Sequence, residues 1–387
     1  IYREEEKMKH HSGNTNRIIA PVTLSFFGEG APVGNDPGRS AQRSLSQTLV
    51  YLCRSEEKTA ARLAKETGIP APYIEEELER QCRGENGEYG LLRSTGKGKY
   101  IANIIIAPRD EYIAVNALYR KYAHAFCDFL ADSIAAAQEG IHSFMRRNLP
   151  KNVEPELLLW AMMPDIVGGF ATQVCAGLVG FFLDVQPVGR PFTAVAVADL
   201  PEQSCFYGCD SIVAHDVGGY SNVLVRNLYG SRLQAHFHCG HDVTADPMLR
   251  LTVRCANGCP LPALSHEERE IAERAIQQGY LREYDGVLEP AILVLADGIS
   301  VYIEFQSLLD ALEEDTRQLA NDLAGELAGF MREYIPSHLL ADYPCYGSSI
   351  ASHCFFHDVV EECICRGILT APPAPLGPEG VLMVLCI

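Results

Sequence analysis

Over residues 58–107 the spacing of apolar positions shifts from a helical period to a strand period. Ala60, Leu63 and Ala64 mark one face of a short helix over 59–67, and Gly68 supplies a left-handed stop. Pro70 opens the next turn. Pro72 suits the first turn of a second helix over 71–82, where a missing N–H costs nothing, and Tyr73, Ile74 and Leu78 give that helix its apolar stripe. Gly90-Leu91-Leu92 then leads into a strand, Gly96-Lys97-Gly98 reverses the chain, and Tyr100, Ile101 and Ile104 return it with the β-branched and aromatic residues that strands favour. Upstream, residues 40–53 read as a helix with Leu45, Leu49, Val50 and Leu52 on its apolar side.

Three helices followed by a hairpin are the parts of a winged helix-turn-helix. In that fold the second of the paired helices enters the DNA major groove, where base readout and phosphate attraction favour Arg, Lys, Asn and Gln. Here it carries Glu75, Glu76, Glu77 and Glu79 against a lone Arg80. A duplex with one phosphate charge per roughly 1.7 Å repels such a face. Positive charge lies instead on Arg62 and Lys65 of the preceding helix and on Arg93, Lys97 and Lys99 of the hairpin. Arg93, Lys97 and Lys99 are therefore the candidate nucleic-acid-binding residues, for weak contact through the wing. A protein-docking or purely structural winged helix is the alternative that the charge favours.

Beyond this region, apolar residues at Val115, Leu118, Tyr122, Phe126, Phe129, Ile134, Ile141 and Phe144 predict one long helix over 110–147, roughly 55 Å from end to end. Such a helix bridges domains, forms a homodimer seam, or buries one face in a bundle, and the last is the simplest. Residues 166–183 carry no charge, but their glycines, Thr172 and Gln173 point to a buried bundle helix and no role in a membrane. After Pro187, strands are predicted over 192–198, 221–226, 233–237 and 249–255. Ser265 and Glu268 then form a capping box for a helix reaching Gln278, followed by Gly279-Tyr280-Leu281, a turn at Asp285-Gly286 and a strand over 291–295. The last residues repeat the order: a helix over 352–366, Gly367-Ile368-Leu369, a Pro-rich turn and a strand over 381–385. With Gly90-Leu91-Leu92 this makes three units of helix, Gly-x-Leu and hairpin, in which a glycine reverses the chain before the strand.

The fold class predicted is α+β: an N-terminal winged helix-turn-helix, a long connecting helix, then a mixed α+β domain with winged-helix-like units. The boundaries are 1–40 for a linker and the end of an upstream helix, 41–108 for the winged helix-turn-helix, 109–185 for the helical connector and 186–387 for a mixed sensing or docking domain. The charged residues from Arg3 to Lys9 read as the end of a helix, so that something is expected before Ile1.

With 387 residues, 47% of them hydrophobic, the chain can bury more than one core, and a formal charge of −18 rules against a chain-wide cationic surface for nucleic acid or anionic lipid. Fourteen cysteines spread along so large a chain, without a secretory leader, are expected as thiols in a cytoplasmic protein. Eight soft or borderline ligands gather between 205 and 259: Cys205, Cys209, His236, His238, Cys239, His241, Cys255 and Cys259. They lack the tight C-x-x-C knuckle of zinc sites, which leaves metal binding open. No catalytic residue or cofactor is expected. Gly90 to Lys97 has one residue too many for a phosphate-binding loop, with Gly98 where a hydroxyl residue belongs, and His266-Glu267 lacks the second histidine of a zinc protease. Three His-Asp pairs, at His215, His241 and His357, are explained by turns and an amphipathic helix.

The segments TAARLAKETGIPAPYIEEELERQ and KYIANIII, with LSQTLVYLC before them and ELLLWAMMP around Trp160 after them, resemble the accessory region that follows the promoter-reading part of some bacterial RNA polymerase sigma factors of the extracytoplasmic-function type. The resemblance covers about residues 1–165 and does not extend to the Cys/His-rich region. It implies the regulatory region of a sigma-like transcription factor, acting in the cytoplasm by docking on RNA polymerase or another transcription protein, or by sensing an effector. The alternative is a stand-alone winged-helix DNA-binding regulator with an effector domain.

Overall fold

Thr59 ends an extended segment, and its side chain accepts from the Arg62 amide at 3.3 Å, satisfying one of the amides that open the next helix. Gly68 closes that helix at φ 72°, ψ 8°. This start and stop are repeated in varied form along a computed structural model that describes residues 19–29, 37–84, 90–148, 155–185, 193–200, 207–230, 232–233, 244–296, 299–313, 316–344, 354–370 and 381–386. The fold is α+β, with eleven α-helices and several small sheets among the described residues. They divide into two compact units, the first drawn from Ile1–Asp110, Val188–Pro201 and Ile335–Asp342, the second from Glu111–Pro187, Glu202–Tyr334 and Tyr343–Ile387.

In the first unit, β1 (Leu24–Glu29) and the single-turn α1 (Pro37–Ser40) precede α2 (Ser44–Leu52), β2 (Lys58–Thr59), α3 (Ala60–Thr67) and α4 (Ala71–Arg83). A hairpin of β3 (Leu92–Gly96) and β4 (Lys99–Ala102) follows, giving an antiparallel sheet in the order β2-β4-β3. Its turn is left-handed at Gly96, Lys97 and Gly98 in succession (φ 96°, 52° and 68°), and Lys97 alone of the three has a Cβ to accommodate. Gly90 serves differently from the chain reversal expected of it. A Cβ there would lie 2.1 Å from the Gln81 carbonyl oxygen, so glycine is required by close approach to the end of α4. Leu49, Leu63, Ile74, Leu78, Leu91 and Leu92 fill the interior.

A second sheet extends the same core. β5 (Ile105–Ala107) runs parallel to β6 (Thr193–Ala198), which pairs on its other edge with antiparallel β1. Leu24, Ile106, Ala196 and Ala198 are buried with the helices. Residues 24–29, read from sequence as part of a linker, are thus a strand, and 193–198 pair within the first unit.

The second unit is led by α5 (Arg109–Asn148), a helix about 60 Å long that buries Val115, Tyr119, Tyr122, Phe126, Leu130, Ile141 and Phe144 while leaving Phe129 exposed. Beside it, α6 (Pro155–Phe181) contains Pro164 and is long and apolar enough to cross a membrane, yet 56% of its most apolar window is buried within the chain. Gln173 on this helix hydrogen-bonds Thr316 at 3.1 Å. The strands β7 (Tyr207–Val217) and β8 (Tyr220–Gly230) form a hairpin through Gly218-Gly219, both at positive φ.

Of residues 249–255, expected as a strand, 249–254 belong to α7 (Pro247–Arg254) and Cys255 caps its end. The Asp246 side chain accepts from the amides of Met248 and Leu249 at 2.9 and 3.0 Å, and Pro247 occupies the first turn, so local capping overrides the β-like composition. β9 (Cys259–Pro260) follows, then α8 (His266–Gln277) with the Ser265/Glu268 capping box intact. β10 (Leu281–Tyr284) and β11 (Val287–Pro290) are joined by Asp285-Gly286, both left-handed. The short β12 (Leu293–Leu295), α9 (Ile299–Glu313), α10 (Arg317–Tyr334), α11 (Phe356–Cys365) and β13 (Val381–Cys386) complete the unit, with β12-β13-β8-β7 as its main sheet. Gly177 on α6 faces Ala324 on α10, where an added Cβ would meet that of Ala324 at 2.8 Å, so the two helices pack closely.

Candidate docking face and basic hairpin

The helix expected to meet DNA, α4, divides its glutamates between two environments. Ile74 and Leu78 are buried against α2 and α3, which turns Glu75, Glu76 and Glu79 to solvent. Tyr73, placed in the apolar stripe from sequence, is 64% exposed instead and stands on the same outer surface. Glu77 points inward and is only 4% exposed. It accepts from Ser46 Oγ at 2.6 Å, Gln81 Nε2 at 3.0 Å and Arg80 Nε at 3.1 Å, with a further close contact to the second Arg80 nitrogen and Arg43 at 3.6 Å. Burial alone pushes the Glu77 carboxyl up; the bonds from Arg80, Ser46 and Gln81 more than offset it, and the group ends below the usual carboxylate range. Glu77 therefore belongs to the interior and not to the groove-facing surface where the sequence reading put it. Arg80, the helix's lone cation in that reading, is consumed by the same network and also reaches Ser46 at 2.7 Å.

The positive residues are similarly sorted. Arg62 is held by Glu56 at 2.6 Å and Glu66 at 2.9 Å, so it adds little field beyond its own pair. Lys99 reaches Glu57 at 3.1 Å. That bond, with one from Thr95, holds the exposed Glu57 carboxyl below its ordinary range. Arg93 and Lys97 are exposed and make no ion pair within 4 Å among the described residues. The three candidate residues thus share one hairpin surface, Lys97 at the turn and Arg93 and Lys99 on its two strands. Behind it the His338 ring lies 3.2 Å from the Ala102 carbonyl, and burial lowers its proton affinity.

No protein-family model, curated protein or solved structure matches this chain.

Of the Cys/His group, Cys205, His236, His238, Cys239 and His241 lie outside the described residues, as does the predicted strand over 233–237 beyond Leu233. Cys255 and Cys259 are buried in the second unit's core with Cys386. Burial pushes the Cys209 and Cys255 thiols up to about 12, which keeps them protonated at neutral pH. Among the described residues, no three His, Cys, Asp or Glu side chains converge as a metal set. The His-Asp pairs also separate. His215 bonds Asn222 across the β7–β8 hairpin at 2.8 Å, His241-Asp242 lies outside the described residues, and His357-Asp358 lines a cleft between α5 and α11.

Proposed function

We infer that the first unit is a winged helix-turn-helix used for docking on a protein, and that the chain is the regulatory region of a sigma-like transcription factor acting in the cytoplasm. The observation that carries this reading is the outer surface of α4. A groove-reading helix needs exposed donors and cations, whereas this one exposes Tyr73, Glu75, Glu76 and Glu79 and turns Arg80 inward. An exposed tyrosine ringed by carboxylates suits a basic protein surface with an apolar centre, and the partner proposed is RNA polymerase or a protein bound to it.

Titration of the full chain with RNA polymerase core, and separately with labelled duplexes at near-physiological salt, tests the reading. Polymerase binding weakened at least tenfold by Glu75→Lys with Glu79→Lys, and DNA binding no tighter than the non-specific range of about 10⁻⁴ to 10⁻⁶ M, are expected. Sub-micromolar, sequence-selective DNA binding would overturn it. The second reading, a stand-alone DNA-binding regulator, is favoured by the exposed Arg93 and Lys97 on the hairpin, which make no ion pair among the described residues. Under that reading, Lys97→Glu with Lys99→Glu abolishes DNA binding while the glutamate changes on α4 do not weaken it.

A further inference from the structure

Two thiols meet in the interior of the second unit. Cys127 on α5 and Cys363 in the last turn of α11 are both buried, and their sulfurs touch across the seam between the helices, 3.6 Å apart. They stand 236 positions apart in the chain. Cys127 also reaches the Val359 carbonyl at 3.6 Å, one turn before Cys363, so its sulfur is seated on α11. Polar residues on either side of the pair fasten the seam. Arg366 binds Glu362 at 2.6 Å and the His124 carbonyl at 3.1 Å and pairs with Asp128, while His124 meets Glu362 at 3.0 Å. His124 and Asp128 bracket Cys127, and Glu362 and Arg366 bracket Cys363, which holds the two sulfurs in register. A disulfide bond is about 2.05 Å long, so the sulfurs have about 1.5 Å to close. Rotation about a Cα–Cβ bond sweeps a sulfur through a larger arc than that.

The hydrogen bond with Cys363 and burial push the Cys127 thiol well above its ordinary value, against the pull of the Arg366 guanidinium. With the seam shut the pair is therefore inert. Its position gives it a way to open. Cys363 lies two residues from the end of α11, and helix ends open locally at far lower cost than whole units. Beside it, the cleft of about 220 Å³ lined by Ala123, His124, Glu362 and Cys365 comes within one helical turn of both cysteines and has room for several waters, hence for hydrogen peroxide. We propose that Cys127 and Cys363 form a reversible disulfide that locks α11 onto α5 when the chain meets a peroxide. The Cys363 thiolate, exposed by opening of the last turn, attacks hydrogen peroxide: an S–O bond forms, the O–O bond breaks, and the leaving hydroxide takes up the thiol proton as water. The Cys127 thiol then attacks that sulfur; the S–S bond forms, the S–O bond breaks, and the second proton leaves with the oxygen as water. Two thiols and one peroxide become one disulfide and two waters, the sulfurs giving up the two electrons that the peroxide takes. The bond closes most of the second unit into one covalent loop. It lies within that unit, so the proposal stands whether or not the first unit docks on the transcription machinery.

Treatment of the folded, fully reduced chain with hydrogen peroxide, followed by blocking of free thiols and peptide mapping by mass spectrometry, tests it without polymerase or DNA. A peptide pair joining Cys127 to Cys363 is expected, with an unfolding midpoint raised by about 5 °C or more, and thioredoxin should restore both thiols and the lower midpoint. Cys127→Ser and Cys363→Ser should each abolish the linked species and the shift, whereas Cys365→Ser, which alters an exposed thiol in the cleft, should leave both. The mapping of the unaltered chain decides the matter even where a serine variant folds poorly. Peroxide that oxidises Cys365 while Cys127 and Cys363 stay as thiols overturns the proposal. So does linkage of either cysteine to a different partner, linkage that appears only in urea, a linked form that thioredoxin does not reduce, or one whose midpoint is not raised.

Discussion

Glu77 on α4 and Asp358 on α11 are both nearly shut off from water, 4% and 7% exposed, and both sit on amphipathic helices among apolar neighbours. Their surroundings differ. Glu77 receives bonds from Ser46, Arg80 and Gln81, and its carboxyl titrates below the usual range. Asp358 has one arginine at 3.7 Å on one oxygen and no donor among the described residues on the other, and burial pushes its carboxyl up to about 6. A buried carboxylate with its donors in place holds helices together; one without them is a cost the fold bears, and such costs gather where something else is to bind.

The largest effect expected from this contrast is on stability. Glu77→Ala strands Arg80, Ser46 and Gln81 and should cost about 2–4 kcal/mol in urea unfolding, somewhat less than a fully buried pair because Arg80 is partly solvated. A loss below about 1 kcal/mol would remove Glu77 from the role of a structural tie. Asp358→Asn should do the reverse at pH 7. Removing a charge that is poorly compensated should raise stability by about 1–3 kcal/mol. Destabilisation there would mean that the carboxylate is satisfied in solution.

The pH dependence separates the two further. The Glu77 contribution is fully present above the ordinary glutamate value of 4.5 and fades as pH falls through its lower folded value. For Asp358 the folded value, about 6, exceeds the ordinary 3.8, so its cost is absent below pH 4, grows between 4 and 6, and is constant above. The groups facing it are Arg120 and His124 from α5 and His357, Glu361 and Glu362 on its own helix. The stability gain of Asp358→Asn over wild type should therefore vanish by about pH 4, whereas that difference for Glu77→Gln should be largest above pH 5; parallel profiles would erase the contrast. The smallest effect belongs to the exposed Lys99–Glu57 pair, where Lys99→Ala should leave the urea midpoint unchanged within error in the same assay.

Much of the architecture was legible where local chemistry and period agree. The Thr59 start, the Gly68 stop, the Gly96–Gly98 reversal and the Ser265 capping box all lie where their residues require. The α7 helix was misread because Leu249, Leu251, Thr252 and Val253 look like a strand, although Asp246-Pro247 is a helix start. Of the β7–β8 hairpin only the second strand was read, despite Gly218-Gly219 between them, and α9 and α10 were not read at all. The pairing of β6 with β1 and β5 is a long-range event that no local pattern announces. For the surface of α4, sequence supplied the acidic charge but not its division, since whether Glu77 faces in or out depends on Ser46 from another helix. Asp358 did leave a trace: it interrupts the apolar face marked by Phe355, Phe356, Val359 and Cys363. That trace acquires meaning only when α5 brings Arg120 beside it.

The placement of β6 also sets when the first unit's sheet can close during synthesis. Until residues 193–198 emerge from the ribosome, β1 and β5 are two edges with no strand between them, open to pairing with other chains. Roughly 85 residues separate β5 from β6, and at about 5–20 residues per second that interval lasts some 4 to 17 s. The first unit's sheet thus stays unclosed throughout the synthesis of α5 and α6, and a nascent chain stalled there would carry both open edges.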